Sequence, residues 1–325
     1  MKIENDLKNS EISICVVIAT RNRAEMLCKL LESIEDNEVK PDQISIVSSG
    51  EEIVSITTKF NKNLNIIHNH TSQLGQVLQR SMALENLINV YDAYVFLDDD
   101  VTVDKNFFLK LGSYLNLCDE QVGGVGLNLE SQSSKREKTK VLNKLKKFIL
   151  NDYMAGRVLK SGRNTKYSGL DSIKQVSWLN GLSVWTHLVI SKFNHVAMEN
   201  RYAAAEDLIF SYKVGKSYKL FYNPELVVYE QRDAEDIRPN LDVYRTSWQH
   251  KLFFVLTNKE LKFWAFILDN FINICTLSIS AFKRHPRIKM KIIFYNLRFV
   301  YIVIKNKYEL NNNTRYQTNL LNRIM

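Results

Sequence analysis

Between Ile12 and Ala19 the chain reads ISICVVIA, a short unbroken apolar run rich in β-branched residues. Such a run predicts a strand buried on both faces of a parallel sheet. The next stretch, RAEMLCKLLESI, carries Met26, Leu27, Leu30, Leu31 and Ile34 at helical spacing. QISIVSS then predicts a strand, LNIIHNH another, LGQVLQRSMALENLINV a helix and AYVFL a further strand. This alternation is the pattern of an α/β protein with a mostly parallel, doubly wound sheet, whose ligands bind at the carboxyl ends of the strands. Further on, VSWLNGLSVW reads as a strand and turn, AEDLIFSYKVGKS as a helix, and KLFYNPELVVYE as a strand, a proline turn and another strand.

Two regions depart from the pattern. Residues 131–174 are rich in Lys and Ser and hold one amphipathic piece with Val141, Leu142, Leu145, Phe148 and Ile149, which suits an inserted flap. Near the end, LKFWAFILDNFINICTLSISAF is about long enough to cross a bilayer. Its Asp269, Asn273, Thr276 and Ser280 form one polar stripe at helical spacing, so the segment is expected to lie on an apolar surface and not to span one. The expected organisation is a domain over 1–240, with 131–174 inserted, and a helical region over 241–325.

Composition narrows the class. With 45% hydrophobic residues and only 11 Gly and 4 Pro in 325 residues, the chain can build a packed core and wholesale disorder is excluded. The formal charge of +9 is concentrated in SSKREKTKVLNKLKK and KRHPRIKMK, basic patches that attract phosphates of any source. Cys15, Cys28, Cys118 and Cys275 are far apart and match no metal-ligand spacing, which suits reduced packing residues of a cytosolic protein. The polar start MKIENDLKNSE predicts no signal peptide. Gly123, Gly124 and Gly126 follow no phosphate-cradling pattern, which argues against an ATPase or a dehydrogenase.

The candidate chemistry begins where the run Tyr94 to Leu97 ends in Asp98, Asp99 and Asp100. Like charges side by side repel, so something positive is expected there. On an extended segment Asp98 and Asp100 point the same way and can converge on one hard cation, Mg²⁺ or Mn²⁺. A solvated acidic loop is the other reading, disfavoured by the buried strand directly before it. Glu206 and Asp207 fall on the first turn of a helix, where they can face a pocket or simply complement the helix dipole. Arg80, Arg21 and Arg23 can each fork onto a diphosphate or remain solvated.

Taken in order, VVIATRNRAEMLCKLLESI, GQVLQRSMALEN, YVFLDDDVTVDKNFF, WLNGLSVW and AEDLIFSYKVGKSYKLFYNPELVVYE resemble the family 2 glycosyltransferases, over roughly Ile12 to Glu230. The resemblance implies the GT-A fold, a Rossmann-like α/β architecture, here with a helical C-terminal appendage and with 131–174 on the acceptor side. It implies that Ala19, Thr20, Arg21, Glu51, Arg80, Asp98, Asp99 and Trp178 bind the nucleotide-sugar, and that Asp100 with Asp98 holds Mn²⁺ or Mg²⁺. Asp207, with Glu206 beside it, matches the catalytic base. Two positions depart from the family: Ser48 and Ser49 stand where an aspartate reads the nucleobase, and Tyr229 stands where a histidine often ligates the metal, with His250 the nearest downstream substitute.

The expected function is therefore an inverting transfer from a nucleotide-sugar to a glycan or lipid-linked acceptor in surface polysaccharide synthesis. The expected location is the cytoplasm, on the inner face of the cell membrane through residues 261–291. The catalytic domain itself, or a second copy of the chain, is the other expected partner of the helical region. A catalytically degenerate nucleotide-sugar-binding assembly subunit is the alternative. Nucleic acid is not expected as a partner, because no stacking-aromatic or helix-turn-helix arrangement accompanies the charge.

Overall fold

The computed structural model describes residues 12–131, 155–167, 169–193, 204–231, 241–281 and 286–305. Strand β1 (Ile14–Arg21) is buried along nearly its whole length, and its side chains alternate between two cores. Cys15 and Val17 enter one, while Ile14, Val16 and Ile18 enter the other. Strand β4 (Ala93–Asp98) repeats the division, with Tyr94 and Phe96 on the first side and Ala93, Val95 and Leu97 on the second. A strand covered on both faces has no polar side to show, which is why these runs are unbroken in the sequence.

One face is covered by α1 (Ala24–Glu35), α2 (Val54–Phe60) and α4 (Phe107–Asn116), through Leu27, Leu30, Leu31, Phe60, Phe107 and Leu111. The other carries α3 (Gln76–Leu84) and α6 (Glu206–Val214), while α5 (His187–Lys192) adds Val189 and Ile190 to the same core. Sheet order runs β3 (Ile66–His70), β2 (Gln43–Ser49), β1, β4, β8 (Ser183–Thr186), β6 (Val122–Ser131), β9 (Lys219–Glu230) and β5 (Val101–Val103), with β7 (Lys174–Val176) also paired to β9. The four strands β3, β2, β1 and β4 are parallel, as expected. Strand β8 runs against both β4 and β6, so the parallel half ends where the acidic triplet begins.

Strand β6 carries the three glycines that match no phosphate loop, and they are there for packing. A Cβ on Gly124 would stand 2.7 Å from the Trp185 ring, and one on Gly123 would stand 2.6 Å from Tyr218. The expected turn at Pro224 does not divide KLFYNPELVVYE into two strands. The segment is one strand, β9, whose pairing with β6 jumps in register between Gly126 and Asn128.

Helices α7 (Leu241–Thr257), α8 (Phe263–Ala281) and α9 (Pro286–Lys305) complete the chain. Trp248, Leu252, Phe254, Phe266, Ile274, Phe299 and Val303 join the same core as Tyr94, Trp185 and Tyr222. Among the described residues no helix is long and apolar enough to cross a membrane. On α8 Asp269 is turned towards the protein, 7% exposed and 3.1 Å from the Arg163 guanidinium, and Trp264 and Phe271 face outward. The expected orientation is thus reversed at Asp269, because a buried carboxylate needs a cation and Arg163 supplies one. The amphipathic piece around Val141 to Ile149 and the basic run SSKREKTKVLNKLKK lie outside the described residues.

Two glycine substitutions check this packing. Gly124→Ala is expected to cost about 1–3 kcal/mol through overpacking against Trp185. Gly112→Ala, on α4 with no atom within 4 Å, should be neutral or stabilise by about 0.5–1 kcal/mol. Thermal or urea unfolding of both variants reads the difference directly.

Candidate functional site

Alternation along β4 decides where the triplet's side chains go. Asp98 keeps the parity of Tyr94 and Phe96, so it emerges on the face that carries α3 and α6. There Arg80 donates from Nη2 to Asp98 Oδ1 at 2.8 Å, and Gln76 Nε2 donates to the same oxygen. Arg80 is only 3% exposed and also lies 5.1 Å from the centre of the Phe96 ring. Asp99 goes the other way, where it accepts from Thr20 Oγ1 at 2.7 Å and from Arg23 at 2.7 Å. Extended structure stops at Asp98, and Asp99 and Asp100 form a turn before β5. The expected alternation of Asp98 with Asp100 is therefore broken by the turn, and Arg23 reaches Asp100 as well, at 3.5 Å.

The loops around the triplet are tied to one another. Gln79, 4% exposed on α3, donates to the carbonyls of Thr20 at 3.0 Å and Val47 at 3.1 Å, bolting the ends of β1 and β2 together. Asn22 takes a left-handed conformation at φ 52, and its Oδ1 accepts from Glu51 N at 2.9 Å. Gly50, at φ 85, is required beneath it, since a Cβ there would fall 2.0 Å from that same oxygen.

A cleft of about 590 Å³ opens at this edge, lined by Ala19, Thr20, Arg21, Arg23, Gln76 and all three aspartates among others. A smaller hollow of about 260 Å³ adjoins it, lined by Arg80, Gly181, Ala205, Glu206 and Asp207. Gln76 and Asp98 line both, so the Asp98 carboxylate forms part of the wall between them. Burial pushes the Asp207 carboxyl above its ordinary value, against the opposing pull of the Leu208 N–H, 2.8 Å from Oδ1, and of the Arg80 charge. A carboxyl with raised proton affinity beside a pocket is suited to take up a proton.

The turn that carries Asp207 is strained and braced. Ala205 caps α6 in a left-handed conformation, φ 65, which a residue with a Cβ adopts at a cost. The carbonyl of Ala204 lies 2.6 Å from His250 Nδ1, which is 3% exposed on α7. Lys251 is beside it in sequence, and burial lowers its proton affinity while the charges of Asp269 and Asp207 raise it.

Of the residues singled out by sequence, Ala19, Thr20, Arg21, Asp98, Asp99 and Asp100 line the cleft, and Arg80, Glu206 and Asp207 line the hollow. Glu51 and Trp178 line neither. Glu51 Oε1 accepts from Ala24 N at 2.8 Å, at the start of α1. Trp178 is buried, donates to the Thr165 carbonyl at 2.9 Å and packs on Tyr167. Ser48 has His68 Nε2 at 2.8 Å and His70 Nδ1 at 3.1 Å from its hydroxyl. Tyr229 pairs with Thr102, and the charges it meets are those of Asp104, Glu130 and Lys110. Arg23, one of the candidate phosphate arginines, lines the cleft too, while Gln76, Gln79 and Asn22 line it without having been expected from the sequence. Their signal is a polar residue placed where an apolar one would keep the pattern.

The donor set suits a hard cation in kind, since carboxylate oxygens are the ligands Mg²⁺ and Mn²⁺ prefer. Among the described residues no group of three or more His, Cys, Asp or Glu could hold a metal ion alone. A cation here would complete its shell with phosphate oxygens and water, as Mg²⁺ commonly does.

Residues 15–160 match the model of glycosyl transferase family 2. No curated protein matches the chain in sequence. The crystal structure of S. aureus TarS superimposes with a TM-score of 0.50 at 12% identity, over 85% of this chain and 45% of that one. TarS 1–349 in complex with UDP-GlcNAc gives 0.53 at 12% identity, over 80% of this chain and 70% of that one. The chain thus spans less than half of that TarS chain. These likenesses establish the GT-A fold.

His250 offers a test of the bracing contact. Burial lowers its pKa below the ordinary 6.5. The unfolded chain then takes up a proton at a higher pH than the folded one, so stability is full above about 6.5 and falls as pH drops towards the folded value. His250→Gln should flatten that part of the curve, leaving the slope that the lowered pKa of His68 contributes in the same direction. Melting temperatures of both proteins between pH 5 and 8 check it.

Proposed function

We propose, from the premise that residues 15–160 are a glycosyl transferase family 2 domain, that the chain is an inverting glycosyltransferase using a nucleotide-sugar donor. The acceptor is a lipid-linked glycan, and the product belongs to a surface polysaccharide. The observation that carries the reading is the pair of adjoining hollows that share the Asp98 wall, one lined by the triplet and the other by Asp207.

In this reading the donor's nucleoside diphosphate occupies the larger cleft, with Ala19, Thr20 and Arg21 against the nucleotide and Arg80 orienting Asp98 towards the sugar. Asp207 Oδ accepts the proton of the acceptor hydroxyl as that oxygen attacks the sugar's anomeric carbon from the face opposite the diphosphate. The bond to the diphosphate oxygen breaks with its electron pair leaving on that oxygen, through an oxocarbenium-like transition state. Asp100 and Asp98 would hold a divalent cation, Mn²⁺ or Mg²⁺, which supplies positive charge against the departing diphosphate. Glu206 lies beside the base, while Glu51 and Trp178 support the walls from behind. The catalytic part is assigned to residues 1–240 and the helical appendage to 241–325. A lipid-linked acceptor brings the enzyme to the inner face of the cell membrane, with residues 261–291 as the expected contact.

A binding-only assembly subunit is the second reading, favoured by one observation: Ser48 replaces the base-reading acid and is engaged with two histidines. Turnover separates the two. With UDP-, GDP-, dTDP- and CMP-sugars and Mn²⁺, at least one donor should be hydrolysed or transferred, and Asp207→Asn should lower that rate by about 10²- to 10⁴-fold. The wild-type rate should rise with pH through the raised pKa of Asp207, because only the carboxylate is a base. Asp100→Ala should remove the Mn²⁺-dependent part of the thermal shift produced by that donor. Donor binding with no turnover at any pH would give the chain to the second reading.

A further inference from the structure

Helix α9 shows two faces of different character. Ile292, Asn296, Phe299 and Val303 are buried, and Phe299 and Val303, with Ile293 and Tyr295, belong to the core that reaches the sheet. On the outside Met290, Phe294, Leu297, Tyr301 and Ile304 are exposed by 43, 66, 47, 65 and 51%. Their spacing alternates four and three residues, so they form one stripe along the helix, about 21 Å long at 1.5 Å per residue. Five large apolar side chains in a row are more than scattered surface exposure, and such a patch marks an interaction site.

The charge around the stripe selects the partner. Arg287, Lys291, Arg298 and Lys305 are exposed, and three of them directly follow a stripe residue in sequence, at 290/291, 297/298 and 304/305. Helix α9 contains no Asp or Glu at all. Neighbouring α8 has a single acid, Asp269, and that one is turned inward onto Arg163, while Trp264 and Phe271 stand outside at 65 and 57% exposure. A second copy of the chain meeting this face through the same residues would bring basic rim against basic rim. An anionic bilayer offers the complement to both features, apolar depth for the stripe and negative head groups for the rim.

We infer that the outward face of α9 is a membrane-docking surface that lies in the interface of an anionic bilayer, with Phe294, Leu297 and Tyr301 inserted and Arg287, Lys291, Arg298 and Lys305 at head-group level. This deepens the membrane contact proposed above and rests on it, but it moves the contact from residues 261–291 to 286–305. It does not depend on the identity of the donor. On α8 Asp269 is turned inward onto Arg163, and the docking residues are those whose apolar side chains the fold leaves out.

The test uses the full chain and its double variant Phe294→Glu/Tyr301→Glu, floated with vesicles of phosphatidylcholine alone or mixed with phosphatidylserine. Wild type should float with the mixed vesicles, stay behind with neutral ones, and be released by high salt. The variant should lose about tenfold or more of the bound fraction. Its donor-induced thermal shift should be unchanged, which separates failure of docking from failure of the donor reading. Wild type that does not float, or a variant that floats equally well, overturns the inference. So does a dimer seen by light scattering that the variant breaks while neither protein floats, which would assign the face to a second copy of the chain.

Discussion

Three neighbouring carboxylates can occupy one strand end because the structure divides them between two cations on opposite faces of the sheet. Arg80 takes Asp98 on the α3 side, and Arg23 takes Asp99 on the α1 side with Thr20 as the second donor. A half-buried carboxylate left without such a partner would cost several kcal/mol or would take up a proton. The arrangement therefore depends on β1 and α3 as much as on β4. Thr20 closes β1, Arg80 sits in the middle of α3, and Gln79 beside it ties both to β2. Loosening any of these would release the repulsion that the triplet contains. The two guanidiniums also define what a ligand must do there, since a diphosphate and its cation have to share or redistribute the ion pairs already made.

The same division explains how much of the fold could be read from the chain. Ile14 to Ala19 and Tyr94 to Leu97 were legible because strands buried on both faces leave long apolar runs, and α1 was legible because Leu27, Leu30, Leu31 and Ile34 face a single core. Strand β6 was not, because its glycines suppress the usual strand signal, and their reason lies in Trp185 and Tyr218, remote in sequence. Helix α2 buries only Thr57 and Phe60, too little for periodicity to show. Helix α4 does carry a helical pattern in Phe107, Phe108, Leu111 and Leu115, shortly after the acidic triplet and the short strand β5. Asp98, Asp99 and Asp100 were found from their context, but the turn at Asp99 and Asp100 was invisible to an argument that assumed an extended backbone. The outward and inward faces of α8 could not be told apart in sequence, because the polarity that decides them belongs to Arg163.

Helices α7 to α9 carry consequences beyond their own stability. They share a core with β4 and β8, and His250 reaches from α7 to the Ala204 carbonyl, one residue before the strained Ala205 and three before Asp207. A left-handed alanine stays in place only where its surroundings over-determine it, and here the surroundings are partly the appendage itself. Lys251 and Asp269 continue the connection, since the Lys251 ammonium senses both Asp207 and the Asp269 that pairs with Arg163. The proton affinity of Asp207 is raised mainly by its burial and modulated by Arg80 on α3, Asp98 on β4 and Lys251 on α7. If α9 rests on a bilayer, the helices that brace the turn before Asp207 are the ones that take the load, and the membrane and the hollow beside Asp98 are linked through a single packed core. A helical region that only tethered the protein would have no need of that shared core, nor of a buried histidine aimed at the turn before Asp207.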